Sequence, residues 1–299
     1  MTARKFRFGV VAGPPTSGKG WIAQAQRIED LGFATIVVPD GMQRVLSPFP
    51  ALAAIAAATR TLRVGTYVAA NDYRNPVMLA KEAASLDFLS DGRFELGIGA
   101  GRPDAGRDLA MMGMPFDRGG VRLNRLAESI GIIKSLLAGK KTTTSGSFYT
   151  IADAEIDPKP VQQPRPPILI AAAGDRMLEL AGREADIVAF GIQPTATEAD
   201  LASRIDLLKT AASKRFDQIE LNLNLMGVGD RIHPWMEHRL GLTAEKLKEL
   251  RAVSCLFGTV DEMCDQLESR RERLGLSYLV VGDAFIDDFA PVVNRLSGR

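Results

Sequence analysis

The chain has 299 residues, 46% of them hydrophobic and 24% charged, with a formal net charge of +1. That length suffices for one barrel or two modest domains, and scattered basic residues at near-zero charge argue against nucleic acid or an anionic membrane as partner. Two cysteines, Cys255 and Cys264, and two histidines, His233 and His238, are too few and too poorly spaced for a disulfide framework, an iron–sulfur cluster or an HExxH site, so no metal is expected. A reducing cytoplasm suits such thiols. The start, MTARKFRFGVVAG, has no long apolar run, so neither a signal peptide nor a spanning segment is expected.

Phe6 to Ala12 reads as a strand, Trp21 to Leu31 as a helix ended by Gly32, and Thr35 to Pro39 as the second strand. Between them GPPTSGKG, residues 13–20, nearly matches a phosphate-cradling loop. Gly20 stands where the magnesium-holding hydroxyl belongs, and Pro14 and Pro15 remove two amides, which argues against nucleotide hydrolysis. Ser17 or Lys19 is left as a ligand contact. Asp40 comes directly after the second strand, where a barrel places its chemistry; a turn with Gly41 is the plainer reading. Ser47-Pro48 opens an alanine-rich helix.

Residues 62–101 read as strand, loop, helix, turn and strand, one βαβ unit. Asn75-Pro76 supplies a cap and a first-turn proline, and Asp91-Gly92 a turn. In the strand Phe94–Ile98, alternation sends Phe94, Leu96 and Ile98 toward helices and Glu95, Gly97 and Gly99 inward. Gly97 and Gly99 are expected to leave floor space for a flat ligand. Glu95 needs a partner, and Arg63 shares its parity; a structural ion pair and a catalytic role both stand. Gly97-Ile98-Gly99-Ala100-Gly101 only loosely resembles a dinucleotide fingerprint.

Residues 102–118 read as a long active-site loop, followed by a helix from about Gly120 with its buried stripe at Leu123, Leu126, Ile130, Ile133 and Leu137. Residues 139–167, rich in proline, read as an insertion near the mouth with a short strand from Phe148 to Ile151. After the strand Ile168–Ala172, Gly174-Asp175-Arg176 leads into a helix. That glycine turn is a good anion seat, with Arg176 positioned for phosphate; Asp175 as helix cap is the plainer reading. Thr197–Asp200 and Thr259–Glu262 have capping-box spacing. Asn222 and Asn224 share a face of the strand from Ile219. Residues 229–242 read as a polar loop, and Leu247, Leu250 and Val253 mark an extra helix. Strands near residues 6, 34, 62, 93, 168, 187, 220 and 277 number eight, which favours an α/β fold of the closed (β/α)8 TIM-barrel type over an open sheet. Residues 1–299 are expected to form one domain, with insertions at the C-terminal face near 102–118, 139–167 and 229–255.

Gly65-Thr66, Asn75-Pro76, Ala80-Lys81, Ser90–Phe94, Leu96-Gly97 and Gly99–Gly101 together resemble the luciferase-like monooxygenase superfamily. Ala23–Phe33 with Asp40, Pro167–Leu180 with Ala185-Asp186, and Gly258–Leu267 with Gly275 extend the resemblance over nearly the whole chain. Asn71-Asp72-Tyr73-Arg74 and Ala171–Gly174 are similar to the deazaflavin-dependent branch. The resemblance implies a homodimer that transfers a hydride between coenzyme F420 and a small organic substrate, with FMN and oxygen as the alternative pair. It implies a non-proline cis peptide within Val68-Ala69-Ala70-Asn71, and cofactor contacts from Ala69, Ala70, Asn71, Arg74, Gly97, Gly99, Gly174, Asp175 and Arg176. Family members often carry histidine where this chain has Gly41, and many carry it before proline where this chain has Asn75. Proton exchange is therefore expected from Asp40, Glu95, Tyr67 or water. A ligand-binding protein that kept the barrel is a further alternative.

Overall fold

The computed structural model describes residues 4–299. Eight parallel strands form the sheet: β1 (Arg7–Val11), β2 (Thr35–Val38), β3 (Arg63–Thr66), β4 (Phe94–Gly99), β5 (Ile168–Ala172), β6 (Ile187–Phe190), β7 (Glu220–Leu225) and β8 (Leu276–Gly282). They pair in the order β3-β2-β1-β8-β7-β6-β5-β4, and β3 pairs with β4, closing the ring. Ala69–Ala70 continues β3 beside Ile98 and Gly99. The principal helices are α1 (Gly18–Asp30), α2 (Pro48–Ala58), α3 (Pro76–Leu89), α4 (Gly119–Leu137), α5 (Asp175–Glu184), α6 (Glu198–Ala212), α7 (Val260–Leu274) and α8 (Ile286–Leu296). The eight strands and the TIM-barrel class are those read from the sequence.

Internal contacts divide the chain into two compact units. One comprises Pro14–Ile22 with Val37–Ile170; the other comprises the residues up to Gly13, Ala23–Ile36 and Ala171–Arg299. In the first, Phe94 packs on Phe49 with ring centroids 6.2 Å apart, and Trp21 Nε1 donates to the Ala51 carbonyl at 3.0 Å. Asn75 Oδ1 caps α3 by accepting from the Val77 amide at 2.9 Å. The turn after α3 puts Asp91 and Gly92 at φ 52 and 77. Arg93 then reaches back: Nε donates to the Ser90 carbonyl, Nη2 to Ala56 and Nη1 to Leu62, all within 2.8 Å. One guanidinium thus satisfies the helix-end carbonyls of Ala56 and Ser90 and that of Leu62 before β3.

Arg63 and Glu95, at the starts of β3 and β4, pair at 2.6 Å as their shared parity predicts. Arg63 Nη2 donates to Gln162 Oε1 at 3.0 Å, and Gln162 Nε2 donates to Asp87 Oδ1 at 2.6 Å and to the Phe94 carbonyl at 2.7 Å. The exit of the 139–167 insertion therefore runs along the N-terminal end of β4. Its hairpin, Thr142–Ser145 against Thr150–Ala154, turns at 146–149, where Glu128 accepts the Phe148 and Tyr149 amides at 3.1 and 2.8 Å.

In the second unit Phe8 meets Phe289 edge-on at 5.3 Å, and Arg7 binds Glu220 at 2.6 Å while lying 3.7 Å over the Tyr278 ring. Asn222 is buried, donating to the Tyr278 carbonyl at 3.2 Å. Both predicted capping boxes are formed. Segments that differ from the sequence reading include the strand read at Phe148–Ile151, which begins only at Thr150. α1 begins at Gly18 because Ser17 Oγ accepts the Gly20 amide at 3.0 Å, so Lys19 lies in a helical turn. Residues Gly106–Met111 are helical inside the segment read as loop. The segment read as a polar loop holds a strand, Arg231–Ile232, and the helix Pro234–Leu240, which Pro234 opens and His233 Nδ1 caps at 3.4 Å. Among the described residues, no helix is long and apolar enough to cross a membrane.

Candidate active site

β2 ends at Val38, and Asp40 follows it into the first unit's principal cluster of charges. Arg74 Nη1 donates to Asp40 Oδ2 at 2.5 Å and the Ala70 amide donates to the same oxygen at 3.1 Å. Arg74 also approaches Glu82 at 3.3 Å and lies 5.3 Å over the Phe49 ring. Burial pushes the Glu82 carboxyl above the usual range, with Arg74 opposing and Asp40 reinforcing. Asp40 and Arg74 were expected in chemistry and coenzyme binding respectively; the fold binds them to each other.

Asn71–Tyr73 makes one 3₁₀ turn before Pro76 starts α3. That turn spreads three side chains. Tyr73 donates its hydroxyl to Asp108 Oδ2 at 2.9 Å, and the Met42 amide donates there at 3.3 Å. Burial, then the Asp108 bond, raises the Tyr73 phenol well above its ordinary value. Asp72 pairs with Arg125 at 3.0 Å, and Arg125 also binds Asp117. Asn71 is fully buried, its Nδ2 donating to Asp72 Oδ1 at 3.3 Å and to the Tyr149 hydroxyl at 3.5 Å. The carboxylate fixes the amide orientation, since the reverse would oppose two oxygens. Asn71 Oδ1 is then a buried acceptor with no hydrogen-bond partner. Burial pushes the Tyr149 phenol up as well. Asn71, Asp72, Tyr73, Arg74, Arg125 and Tyr149 line a cleft of about 300 Å³ together with Met114 and Pro115.

Gly97 of β4 acts differently from expectation. A Cβ on Gly97 would collide with the Thr66 carbonyl oxygen and crowd Val68. Thr66 Oγ1 donates to the Gly97 carbonyl at 2.6 Å. Gly97 therefore admits the backbone of the neighbouring strand rather than opening floor space. Gly99 is buried in register with Ala70. The peptide Tyr67–Val68 is cis, one residue before the stretch the resemblance indicated. Tyr67 is half-buried just past β3, its amide bonded to the Val38 carbonyl at 2.8 Å.

Gly174, Asp175 and Arg176 belong to the second unit. Gly174 is the N-cap of α5, with extended backbone and open space where a Cβ would stand. Asp175 is the first helical residue and binds Arg204 at 2.5 Å, so it does not cap the helix. Glycine at the cap leaves no side chain for that role.

Sequence reasoning gave no functional role to Tyr73, Asp72, Asp108, Arg125 or Tyr149. Their partners lie tens of residues away, and Asp108 sits on a helix hidden in an apparent loop. The motif Asn71–Arg74 was the available signal.

The sequence profile described as luciferase-like monooxygenase matches residues 5–228. An F420-dependent glucose-6-phosphate dehydrogenase of Microbacterium testaceum is 30% identical over 69% of this chain; the chain spans 62% of that relative, less than two thirds of its length. A 4-hydroxyprotoasukamycin monooxygenase of Streptomyces nodosus subsp. asukaensis is 28% identical, covering 84% of this chain and 76% of that protein. The coenzyme F420-dependent tetrahydromethanopterin reductase of Methanopyrus kandleri shares the fold with a TM-score of 0.79, at 18% identity over 98% of this chain and 100% of that one.

Proposed function

The chain belongs to the luciferase-like monooxygenase family, and from that footing we propose that it transfers a hydride between coenzyme F420 and a small organic substrate. The observation that carries this reading is the buried Asn71 acceptor beside Ala69–Ala70, at the C-terminal end of the third strand of a closed parallel ring. A deazaflavin, like a flavin, has an N–H on its polar pyrimidine edge, so an unfilled acceptor behind two small residues fits either ring, and the F420-dependent relative favours the deazaflavin. When bound, the coenzyme supplies the hydride chemistry.

The protein's own contribution is placement. Ala69 and Ala70 present backbone without bulk, and Asn71 supplies a fixed acceptor. Asp40 holds the Ala70 amide and Arg74 together, which keeps the strand end rigid; charge-assisted bonds of this kind are the strong ones. Asp108 joins the segments around Met42, Tyr73 and residue 108 by two hydrogen bonds. Tyr73 is a poor acid because burial, then that bond, retains its proton. Glu95 lies at the N-terminal end of β4, bound to Arg63, where barrels place stability rather than chemistry. Tyr67, just past β3, is our proposed proton partner, with Asp40 in the positioning role. Separately, the open start of α5 at Gly174 and Arg176 is proposed to seat a phosphate.

Anaerobic titration with F420 and with FMN tests the proposal. We expect saturable binding of F420 at far lower concentration than FMN. Tight FMN binding without F420 binding would refute it in favour of an oxygen-using flavin monooxygenase.

A further inference from the structure

A second cavity, of about 530 Å³, lies wholly within the second unit. Its walls are the start of α6, the segment 248–257 and α7. The lining cations are Lys248, Arg251, Arg270 and Arg273, against a single lining carboxylate, Glu198. Glu198 is already committed at both oxygens: Oε1 accepts from Arg270 at 3.0 Å and Oε2 from Arg273 at 2.5 Å. Four cations against one carboxylate leave three positive charges uncompensated along the lining. Glu262 feels Lys248, but its carboxylate is held by Thr259 in the capping box.

Arg270 is almost fully buried, its guanidinium also donating to the Val253 and Cys255 carbonyls at 3.0 and 3.2 Å. Burial holds it below the ordinary guanidinium value despite Glu198. Phe257 and Leu250 supply an apolar wall.

Arg251 carries the decisive backbone observation. The helix Ala244–Glu249 ends in a left-handed turn: the Arg251 amide donates to Lys248 and the Ala252 amide to Leu247, both at 3.0 Å. This pattern wants glycine at its left-handed position. The helix Pro234–Leu240 and α7 close with Gly241 and Gly275, at φ 64 and 75. Here an arginine stands at φ 51, on the lip of the cavity. Glycine would adopt that backbone conformation more readily, so Arg251→Gly removes the side chain without straining the turn.

We propose that this cavity binds a phosphorylated organic molecule with at least two negative charges. Lys248, Arg251 and Arg273 meet the phosphates, for which guanidinium forks are well matched, and the organic part lies against Phe257 and Leu250. The site is independent of the proposed coenzyme reading.

Calorimetric titration of the full chain with ADP, inorganic pyrophosphate and citrate tests it. ADP should bind saturably, pyrophosphate several-fold more weakly, and both more weakly as salt rises. Arg251→Gly should weaken ADP binding at least tenfold while the melting temperature stays level or rises, because glycine suits that turn. Lys248→Ala should act in the same direction. Absence of saturable ADP and pyrophosphate binding at millimolar concentration overturns the proposal. So does preference for citrate, or an Arg251→Gly variant that binds ADP like the parent. F420 titration of the same variants should be unchanged and reads the coenzyme proposal separately.

Discussion

Replacing Arg63 with methionine takes the guanidinium away from Glu95. The carboxylate is 5% exposed, its guanidinium partner lies at 2.6 Å, and Gln162 loses a donor at 3.0 Å in the same step. Removing one member of a buried ion pair costs about 3–5 kcal/mol, because the surviving charge keeps its desolvation penalty. For a chain of this size, that lowers the melting temperature on the order of 10 °C. A double variant, Arg63→Met with Glu95→Leu, replaces the pair by apolar groups and should recover most of the stability. Urea denaturation of the two single variants, the double variant and the parent measures the cycle. A loss below about 1 kcal/mol, or no recovery in the double variant, would refute the buried-pair argument. If the double variant also retains F420 binding and turnover, Glu95 has no part in proton transfer.

Other outcomes follow from single contacts. Gly97→Ala forces a Cβ into the Thr66 carbonyl and should cost on the order of 3 kcal/mol, seen as a lowered melting temperature. Asn75→Ala removes the α3 cap and should cost about 1 kcal/mol by urea titration. Asn71→Ala should weaken F420 binding about tenfold, the equivalent of one hydrogen bond; an unchanged dissociation constant takes Asn71 out of the site. The Thr259 backbone bond, then its side chain, holds the Glu262 carboxyl below its usual range. Its stabilisation is present above the unfolded pKa and lost as pH falls through the depressed one. Glu262→Gln should therefore melt below the parent at neutral pH, with the difference closing in acid.

Much of the architecture was legible from short-range signals. Alternation in Phe94–Gly99, Asn75-Pro76 before an apolar helix, the Asp91-Gly92 turn and two capping boxes depend on neighbours within a few residues. Parity along β3 and β4 alone pairs Arg63 with Glu95, because side chains alternate strictly on a strand. The helix at Pro234–Leu240 was missed although Pro234 marks its first turn, since its core of Met236, Leu247, Ala252 and Cys255 is assembled from separate segments.

What the chain alone determined was the number, type and order of its elements, because backbone sterics and hydrophobic period act locally. Ring closure decided which side chains met. It turned Asp40 toward Arg74, Tyr73 toward Asp108 and Asp72 toward Arg125, pairs more than thirty residues apart. It also gave Gly97 its purpose, the passage of a neighbouring carbonyl, and left Asn71 Oδ1 buried without a partner. Strand spacing and the path of the chain around the ring set those encounters, and no local pattern encodes either.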